Sequence, residues 1–549
     1  MERRRTVKKI EFNLLEEPWI RVRTPDCALQ EVSLTDALLH AHEYAGLAGE
    51  LPTQDVAVLR LLLAVLQTIF YRVDLEGSPS PLTDEEDALD RWGQLWEEKR
   101  LPEKPILDYL TAWRERFWLF HPERPFYQVA TLKNGIEFGA QKLNGEISQS
   151  ENKVRLFSSY AGLEKEHLSY PQAARWLLYI NGYDEQGGRP KPGNLPRKGV
   201  GWLGQIGYIA ICGASLFEVL LRNLVFLKDG EELYNPPTPC WENEKVREEQ
   251  SCPFVGIDNQ AQLLTMQSRR ILLEREEQGQ FVKGYSLLGG DYIDTTQFAP
   301  FIEQATLWGK TKESKYKPIY YYPKSHDNSK QLWREFPVFF EDKEPGVLKW
   351  NHVLISKGIL SRRIPLNLLA VANIYDPSQK STVIDSYTDT LTFHADVLDS
   401  LGISRNKVIQ EIQSCEKIAN CIESLSMEVS KAAGAKEDKG DKSKRLAKKA
   451  KEQFYFSIDQ PFRRWLASLD PEEDMDEAVL SWRSQAKGIA RQVGKALVEE
   501  AGPSALVGRC EKIKKGNKEI KLYHAAPKAF NHFLWELKII YEEKGGNKV

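Results

Sequence analysis

The pattern of the amino-acid sequence changes near residue 390, and this change constrains the fold more than any other feature. Before it, apolar helical stretches alternate with β-like runs such as Ile319–Tyr322 and Val338–Phe340. Beyond it, the chain is rich in Ala, Lys, Glu and Leu and has few β-branched runs, which is typical of helices. The sequence therefore predicts an α+β protein, with a large mixed α/β N-terminal domain over residues 1–390 and a C-terminal four-helix bundle over residues 391–549.

Composition excludes several classes of protein. With 42% hydrophobic residues and 14 Trp in 549 residues, the chain has enough apolar side chains for a large globular core. The formal net charge is −3, so bulk charge gives no argument for a polyanionic partner. Seven scattered cysteines without a CxxC pair favour reduced thiols, and the charged N-terminus lacks the apolar stretch of a signal peptide. We therefore expect a cytoplasmic protein without a disulfide framework.

Two helices are predicted in the first domain. Residues 51–71 are mostly apolar beyond the first turn, and Arg60 argues against a membrane span, so this helix should lie in a core. Residues 106–120 carry five aromatic side chains in a helical pattern that ends at His121. Both stretches are expected to be structural.

A β-hairpin is predicted at the end of the first domain. Leu366–Ile374 is an apolar run, residues 375–380 form a turn around Pro377, and Ser381–Phe393 is the return strand. This register places Gln379 at the tip.

The stretch between residues 181 and 204 has the most unusual composition in the chain. It contains seven glycines and three prolines, and its basic residues outnumber its two acids, Asp184 and Glu185. Such a segment buries little surface and can approach a phosphate backbone closely. An unstructured surface connection without a binding role fits the composition equally well.

Basic residues cluster in the predicted bundle. Residues 436–451 hold eight Lys or Arg against three acids, and residues 509–521 hold six against two. A solvated loop entering a helix also explains the first run. Between the two runs, Arg483, Lys487, Arg491 and Lys495 recur every four residues and would form one basic ridge on a helix. These segments together indicate a salt-sensitive, sequence-independent contact with a polyanion.

No compact catalytic motif is present in the sequence. The GxxxxGK[ST], HExxH, GxSxG and DxDG patterns are all missing, and no pair of carboxylates stands out as an acid and base. We therefore expect a binding protein without enzymatic activity, cofactor or bound metal.

Six segments, spread in order along nearly the whole chain, form a recognisable pattern: FNLLEEPWIRV (12–22), HPERPFYQV (121–129), LFSS (156–159), LLTMQSRRILL (263–273), NIYDPSQKS (373–381) and FYFSIDQPFRRWLASL (454–469). In these segments the chain resembles the CasA family, the large subunits of the type I-E CRISPR Cascade complex.

The resemblance implies a non-catalytic subunit, present in one copy beside CRISPR RNA and the other Cascade subunits. It implies that the protein reads a protospacer-adjacent motif in target duplex DNA, helps to open the strands, and assists recruitment of a helicase-nuclease. The family uses a glutamine at a hairpin tip as a wedge, and the matching residue is Gln379, flanked by Ser378 and Lys380.

The resemblance also implies further contact residues. The glycine-rich loop that approaches the minor groove corresponds to residues 184–201, with contacts expected from Gly187, Gly188, Arg189 and Lys191. The lysine that completes this site is Lys310 or Lys312. Phe157 and Ser159 match the segment that docks on the guide RNA and the backbone subunit, although a core role for Phe157 is equally compatible with its type. The ridge of Arg483, Lys487, Arg491 and Lys495 would hold the displaced non-target strand.

Two other functions remain to be distinguished. A sequence-independent nucleic-acid-binding subunit outside CRISPR would need only the basic bundle. A nuclease would need a metal site, for which Asp385, Asp389 and His394 are the candidates.

Overall fold

A computed structural model gives the fold of the protein. The structure describes residues 9–148, 160–185, 199–249, 257–276, 280–293, 302–311, 319–340, 344–378, 382–399, 403–435, 441–470, 472–515 and 518–542.

The α-helices within the described residues are α1 (Leu34–Leu39), α2 (Pro52–Arg72), α3 (Glu85–Glu97), α4 (Glu103–Ala112), α5 (Ala140–Leu143), α6 (Leu163–Glu166), α7 (Tyr170–Tyr183), α8 (Trp202–Gln205), α9 (Leu216–Asn223), α10 (Gln260–Leu264), α11 (Leu332–Glu335), α12 (Gly346–Ser356), α13 (Ile403–Ala432), α14 (Asp441–Ser468), α15 (Met475–Glu499), α16 (Gly502–Val507) and α17 (Ala526–Glu542). Short 3-10 helices span Arg114–Arg116, Cys240–Glu242, Phe336–Phe340 and Ala395–Leu398.

The β-strands within the same residues are β1 (Glu11–Asn13), β2 (Ile20–Arg23), β3 (Leu29–Val32), β4 (Gly46–Leu47), β5 (Trp118–Phe120), β6 (Ile136–Gly139), β7 (Leu168–Ser169), β8 (Tyr208–Cys212), β9 (Leu227–Lys228), β10 (Glu232–Leu233), β11 (Arg269–Arg275), β12 (Phe281–Gly289), β13 (Leu307–Lys310), β14 (Tyr321–Lys324), β15 (Pro365–Tyr375), β16 (Val383–His394), β17 (Arg509–Lys515) and β18 (Lys518–His524). This mixture confirms the α+β class predicted from the sequence.

The chain divides into two compact units. The first comprises Met1–Lys330, Val338–Leu360 and Asn367–Thr390. The second comprises Leu391–Val549 together with two short earlier segments, Gln331–Pro337 and Ser361–Leu366.

Helix α2 forms the centre of the first unit. It begins with Pro52 at its first position, where the missing N–H is not needed by the helix. It packs against α4, α7, α9 and α10. By length and composition α2 could span a membrane, but 94% of its most apolar stretch is buried inside the protein. The helix is therefore a core helix, as its sequence predicted.

Small antiparallel sheets surround this helical core. The strands order as β3-β2-β4 and β11-β12-β6 in two sheets, and β7 also pairs with β12. A further sheet has the order β16-β15-β8, in which β8 is antiparallel to β15 with Tyr208 opposite Val371. This last sheet positions the candidate site described below.

The predicted helix over residues 106–120 is wrong in its second half. Helix α4 ends at Ala112, and Trp118–Phe120 forms strand β5, which pairs with β1. Leu119 and Phe120 of this strand are both buried, so this part of the run supplies core contacts from an extended backbone. The predicted β-run at Val338–Phe340 is likewise a 3-10 helix, Phe336–Phe340.

The second unit contains four long helices, α13, α14, α15 and α17, and α13 packs against the other three. A β-hairpin is inserted between α16 and α17, where helix was expected. Strands β17 and β18 pair from Arg509 opposite His524 to Lys515 opposite Lys518. Gly508, with φ of 77°, ends α16, and residues 516–517 between the two strands lie outside the described residues.

Candidate nucleic-acid interface

The predicted hairpin is present, with β15 and β16 as hydrogen-bonded neighbours. The Asp376 N–H donates to the Thr382 carbonyl at 2.9 Å and closes its base. The Asp376 carboxylate accepts from the Ser378 N–H at 2.9 Å and from the Ser378 hydroxyl, and these bonds hold Ser378 in the turn. Ser378 is exposed. Gln379 and Lys380 lie outside the described residues.

The glycine-rich segment is described at both ends. Gly187, Gly188, Arg189 and Lys191 lie outside the described residues, which include the chain up to Glu185 and again from Gly199. The Gly201 N–H donates to the Asp184 carbonyl at 2.9 Å, so the two ends lie together.

Arg269 of β11 forms hydrogen bonds with both described ends of the glycine-rich segment. Its Nε donates to Asp184 Oδ2 at 2.5 Å, and both side chains are 2% exposed. Its Nη2 donates to the carbonyls of Asp184, Glu185 and Gly199 at 3.2, 3.3 and 3.0 Å. The planar guanidinium suits this role because its donors have a fixed geometry.

The hairpin and the ends of the glycine-rich segment meet. The Tyr375 hydroxyl donates to the Tyr183 carbonyl at 2.6 Å, and Glu185 Oε1 accepts from the Val383 N–H at 3.2 Å. A Cβ at Gly204 would collide with the Tyr375 ring, so this close approach requires glycine. The two segments that the sequence predicted to contact DNA therefore emerge from one place.

The segment that carries Phe157 and Ser159 starts beside the same place. Both residues lie outside the described residues, but Ser148 and Tyr160 on either side are described. Lys142 Nζ donates to Ser148 Oγ at 2.9 Å and to Glu185 Oε2 at 2.8 Å. The Tyr160 hydroxyl donates to Glu146 Oε2 at 2.6 Å, and burial together with this hydrogen bond raises the pKa of Tyr160 to about 12. The hydroxyl therefore stays protonated at neutral pH and can hold this bond.

Of the two candidate lysines, Lys310 is described and Lys312 is not. Lys310 ends β13, is exposed, and lies opposite Tyr321 of β14. The base of this strand pair adjoins the start of β8, because the Gly207 N–H donates to the Lys324 carbonyl at 2.7 Å. Lys310 is thus carried on a strand pair that borders the sheet containing the hairpin.

The basic ridge of α15 is divided between structural and exposed side chains. Arg483 Nε and Nη2 donate to Glu411 Oε1 at 2.8 and 2.6 Å, and the Glu411 side chain is fully buried. Lys487 Nζ lies 5.0 Å from the centre of the Tyr541 ring. Arg491 and Lys495 are exposed, and Lys495 has a surface ion pair with Glu499 at 3.4 Å. Arg483 is therefore bonded to a buried carboxylate within the bundle, whereas Arg491 and Lys495 expose their charges, so the four residues of the ridge are not equivalent.

The alternative metal site does not have the required geometry. Asp385, Asp389 and His394 all lie on β16, where alternate residues point to opposite faces. Asp389 and His394 are five residues apart and so face opposite sides of the strand. The part of the chain that the structure describes contains no group of three His, Cys, Asp or Glu side chains placed to hold a metal ion.

Sequence analysis did not identify the residues that join these segments. Lys142 and Arg269 are remote from their partners in sequence, and neither belongs to a motif with a chemical meaning of its own. The sequence did offer one signal for such partners, because Asp184 and Glu185 are two acids at the start of an otherwise basic segment.

The fold and the site define a large α+β protein with a helical bundle, whose candidate contacts lie on segments that emerge from a shared base. Comparison with known proteins agrees with this class. The family model described as CRISPR-associated protein Cse1 matches residues 13–493. CasA/Cse1 of Thermus thermophilus is 28% identical over 521 residues, which cover 90% of this chain and 94% of the relative.

Solved structures give the same result. The crystal structure of Thermobifida fusca Cse1 has a TM-score of 0.80 with 27% identity and covers 97% of this chain and 99% of its own. A chain of a CRISPR RNA-guided surveillance complex has the same fold, with a TM-score of 0.67 and 17% identity over 96% of this chain and 99% of its own. The chain belongs to the CasA/Cse1 family, the large subunits of the type I-E CRISPR Cascade complex.

Proposed function

We propose that this chain is the non-catalytic large subunit of a CRISPR RNA-guided surveillance complex and acts there on duplex DNA. In this role it recognises the protospacer-adjacent motif, wedges the strands apart beside it, and so starts R-loop formation. It works in the cytoplasm as one copy in a complex with CRISPR RNA and the other Cascade subunits, and it helps to recruit the helicase-nuclease.

The observation that carries this proposal is the shared base of the hairpin and the glycine-rich segment. Glu185 and Tyr183 bond directly to the hairpin at Val383 and Tyr375. A segment that reads the minor groove and a wedge that enters the next base-pair step must act within a few ångströms of each other. Their common origin supplies that proximity without requiring a large movement.

The chemistry of the segments suits motif reading followed by strand opening. Glycines allow the backbone to approach the minor groove, where readout is degenerate, so several motifs can be accepted. The planar amide of Gln379 can stack on a base pair while its polar edge stays hydrated. Sequence identity beyond the motif is then read by pairing with the guide.

The second unit supplies the contact that is independent of sequence. Arg491 and Lys495 are exposed on one helix of this unit, whereas the exposed Lys310 of the first unit is a candidate for the lysine that completes the motif-reading site. Cations of this kind hold a phosphate backbone through counterion release, which makes binding sensitive to salt. They would hold the displaced non-target strand once the wedge has acted.

Reconstitution of the guide complex with and without this subunit tests the proposal. Duplex binding is measured over a library of flanking trinucleotides, and strand opening is followed by the fluorescence of a base analogue beside the flank. We expect flank-dependent binding only with the subunit. Gln379→Ala should slow opening roughly tenfold or more, which corresponds to about 1.4 kcal/mol, while initial duplex contact is retained.

Gln453→Ala is the matched control, because Gln453 is an exposed glutamine on α14 of the second unit. It should behave as the wild type. Binding that is indifferent to the flank and falls only with added salt would instead support a sequence-independent nucleic-acid-binding subunit. DNA cleavage by the purified chain with Mg²⁺ would contradict the non-catalytic role.

A further inference from the structure

A buried ion pair lies beside the described ends of the three segments. Lys142 of α5 and Glu185 after α7 are each 6% exposed, and Lys142 Nζ lies 2.8 Å from Glu185 Oε2. Lys142 also donates to Ser148, the last described residue before segment 149–159. Glu185 is the last described residue before segment 186–198.

The same carboxylate reaches the hairpin through its second oxygen. Glu185 Oε1 accepts from the Val383 N–H at 3.2 Å, one residue beyond the Thr382 carbonyl that closes the hairpin. The Glu185 carbonyl accepts from Arg269, which also binds the far end of segment 186–198 at Gly199. A continuous path of bonds therefore runs from Ser148 through Lys142 and Glu185 to Val383 and Gly199.

Stability alone does not explain a pair of this kind. A buried ion pair is often no more stabilising than apolar side chains of the same volume, because removing both charges from water costs several kcal/mol. What such a pair supplies is geometry, since each charge must keep its partner once buried. The partners here fix three chain segments relative to one another.

We propose that Lys142 and Glu185 are positioning residues that couple segment 149–159 to the two DNA-facing segments. When segment 149–159 is held by the guide RNA and a neighbouring subunit, Ser148 is fixed, and Lys142 then orients Glu185 and the amide of Val383. Assembly into the guide complex thereby places the hairpin and the glycine-rich segment for motif reading. This inference rests on the proposed function.

Coupling of this kind is measurable as a ratio of affinities. A short duplex carrying the flanking motif is titrated against the full-length subunit alone and against the subunit assembled in the guide complex without complementary target. The ratio of the two dissociation constants is the coupling factor, and linkage requires the duplex to strengthen assembly by the same factor. We expect a factor within the usual range of about 5- to 150-fold for the wild type.

Lys142→Met and Glu185→Gln should each bring this factor close to one. Arg91→Met is the matched control, because Arg91 is also a buried cation of the first unit, 7% exposed, and its guanidinium donates to the carbonyls of Phe70 and Ser80. Its loss should destabilise the protein and leave the coupling factor unchanged. A purely structural role for Lys142 would alter both affinities together and preserve their ratio.

Ser148→Ala removes only the hydrogen bond between Lys142 and Ser148, the residue that leads into segment 149–159, and it tests the coupling even if the charged variants do not fold. It should lower the factor at least partway towards one. The inference is overturned if the wild-type factor is one, or if folded variants keep the wild-type factor. If the wild-type complex has no flank preference at all, the proposed function itself fails, which is a distinct result.

Discussion

Arg483 illustrates how burial decides the role of a charged residue. Its guanidinium binds Glu411, whose side chain has no exposed surface, whereas Lys495 on the same helix pairs with Glu499 in solvent. The side chain of Lys495 is 69% exposed and that of Arg483 is 24% exposed. Regular spacing along the sequence therefore does not distinguish a residue that contacts the interior of the bundle from one that presents its charge at the surface.

The first prediction concerns these two residues. Arg483→Met should lower the free energy of unfolding by about 3–5 kcal/mol, because it leaves the buried Glu411 carboxylate without its guanidinium partner. Lys495→Met should change stability little, since exposed ion pairs contribute little. Urea unfolding of the full chain measures both variants.

The double variant Arg483→Met with Glu411→Gln gives the internal check. It should be more stable than Arg483→Met alone, because the uncompensated charge has been removed. Equal destabilisation by Arg483→Met and Lys495→Met would show that burial is not the cause.

At the scale of elements, the hairpin of β15 and β16 was predictable from local pattern alone. An apolar run, a turn around Pro377 and a return strand are close together in sequence, so local preferences fix the turn and the pairing. The hairpin of β17 and β18 was missed because its lysines are as common in helices as on exposed strands. In the sequence, only the alternation around Ile513 and Ile520 and the Gly516-Asn517 pair, which is a hairpin signal, favoured strands.

The side-chain contacts that connect these elements to one another could not be predicted in the same way. Arg269 lies 85 residues from Asp184, and Lys142 lies 43 residues from Glu185. No local preference encodes such partners, because they are selected by the packing of β11 and α5 against the end of α7. The sequence thus predicted which segments could touch DNA, whereas the common base was visible only in three dimensions.

The second prediction tests how the hairpin is fastened. Burial raises the pKa of Tyr375 well above its ordinary value, so its hydroxyl stays protonated and donates to the Tyr183 carbonyl. Tyr375→Phe should cost about 1–3 kcal/mol, because a carbonyl in the interior loses its donor. Hydrogen exchange at the Asp376 and Val383 amides should become faster.

Tyr322→Phe on β14 is the control for this prediction, because Tyr322 is 43% exposed. It should leave both stability and exchange at the hairpin unchanged. Unaltered exchange in Tyr375→Phe would mean that the strand pairing alone holds the hairpin.

At the scale of the whole molecule, the two units are expected to contribute different terms to DNA binding. The first unit carries the segments proposed to read the motif, and the second carries exposed cations. Contacts with bases and contacts with phosphates contribute to affinity with a different dependence on salt, because only phosphate contacts release counterions. The net charge of −3 does not show this division, since it is the sum of the charges over the whole chain.

The third prediction follows from that division. Arg491→Gln combined with Lys495→Gln should reduce the slope of log affinity against log salt concentration by up to about 2, while flank preference is retained. Lys104→Gln combined with Lys228→Gln is the control, because these lysines also form surface pairs with an acid four residues away. An unchanged slope in the α15 variant would exclude this part of the bundle from the contact.

The hydrogen bonds that hold together the chain on either side of residues 186–198 have a consequence for how such a protein can diversify in evolution. The chain enters and leaves residues 186–198 at positions that are bonded to each other and to Arg269. Residues between those positions can change in length or composition at little cost to the frame, because loop closure depends only weakly on length. Under the proposed function, recognition of a new motif can therefore arise by exchange of the short coding stretch for these residues, while the rest of the gene is inherited unchanged.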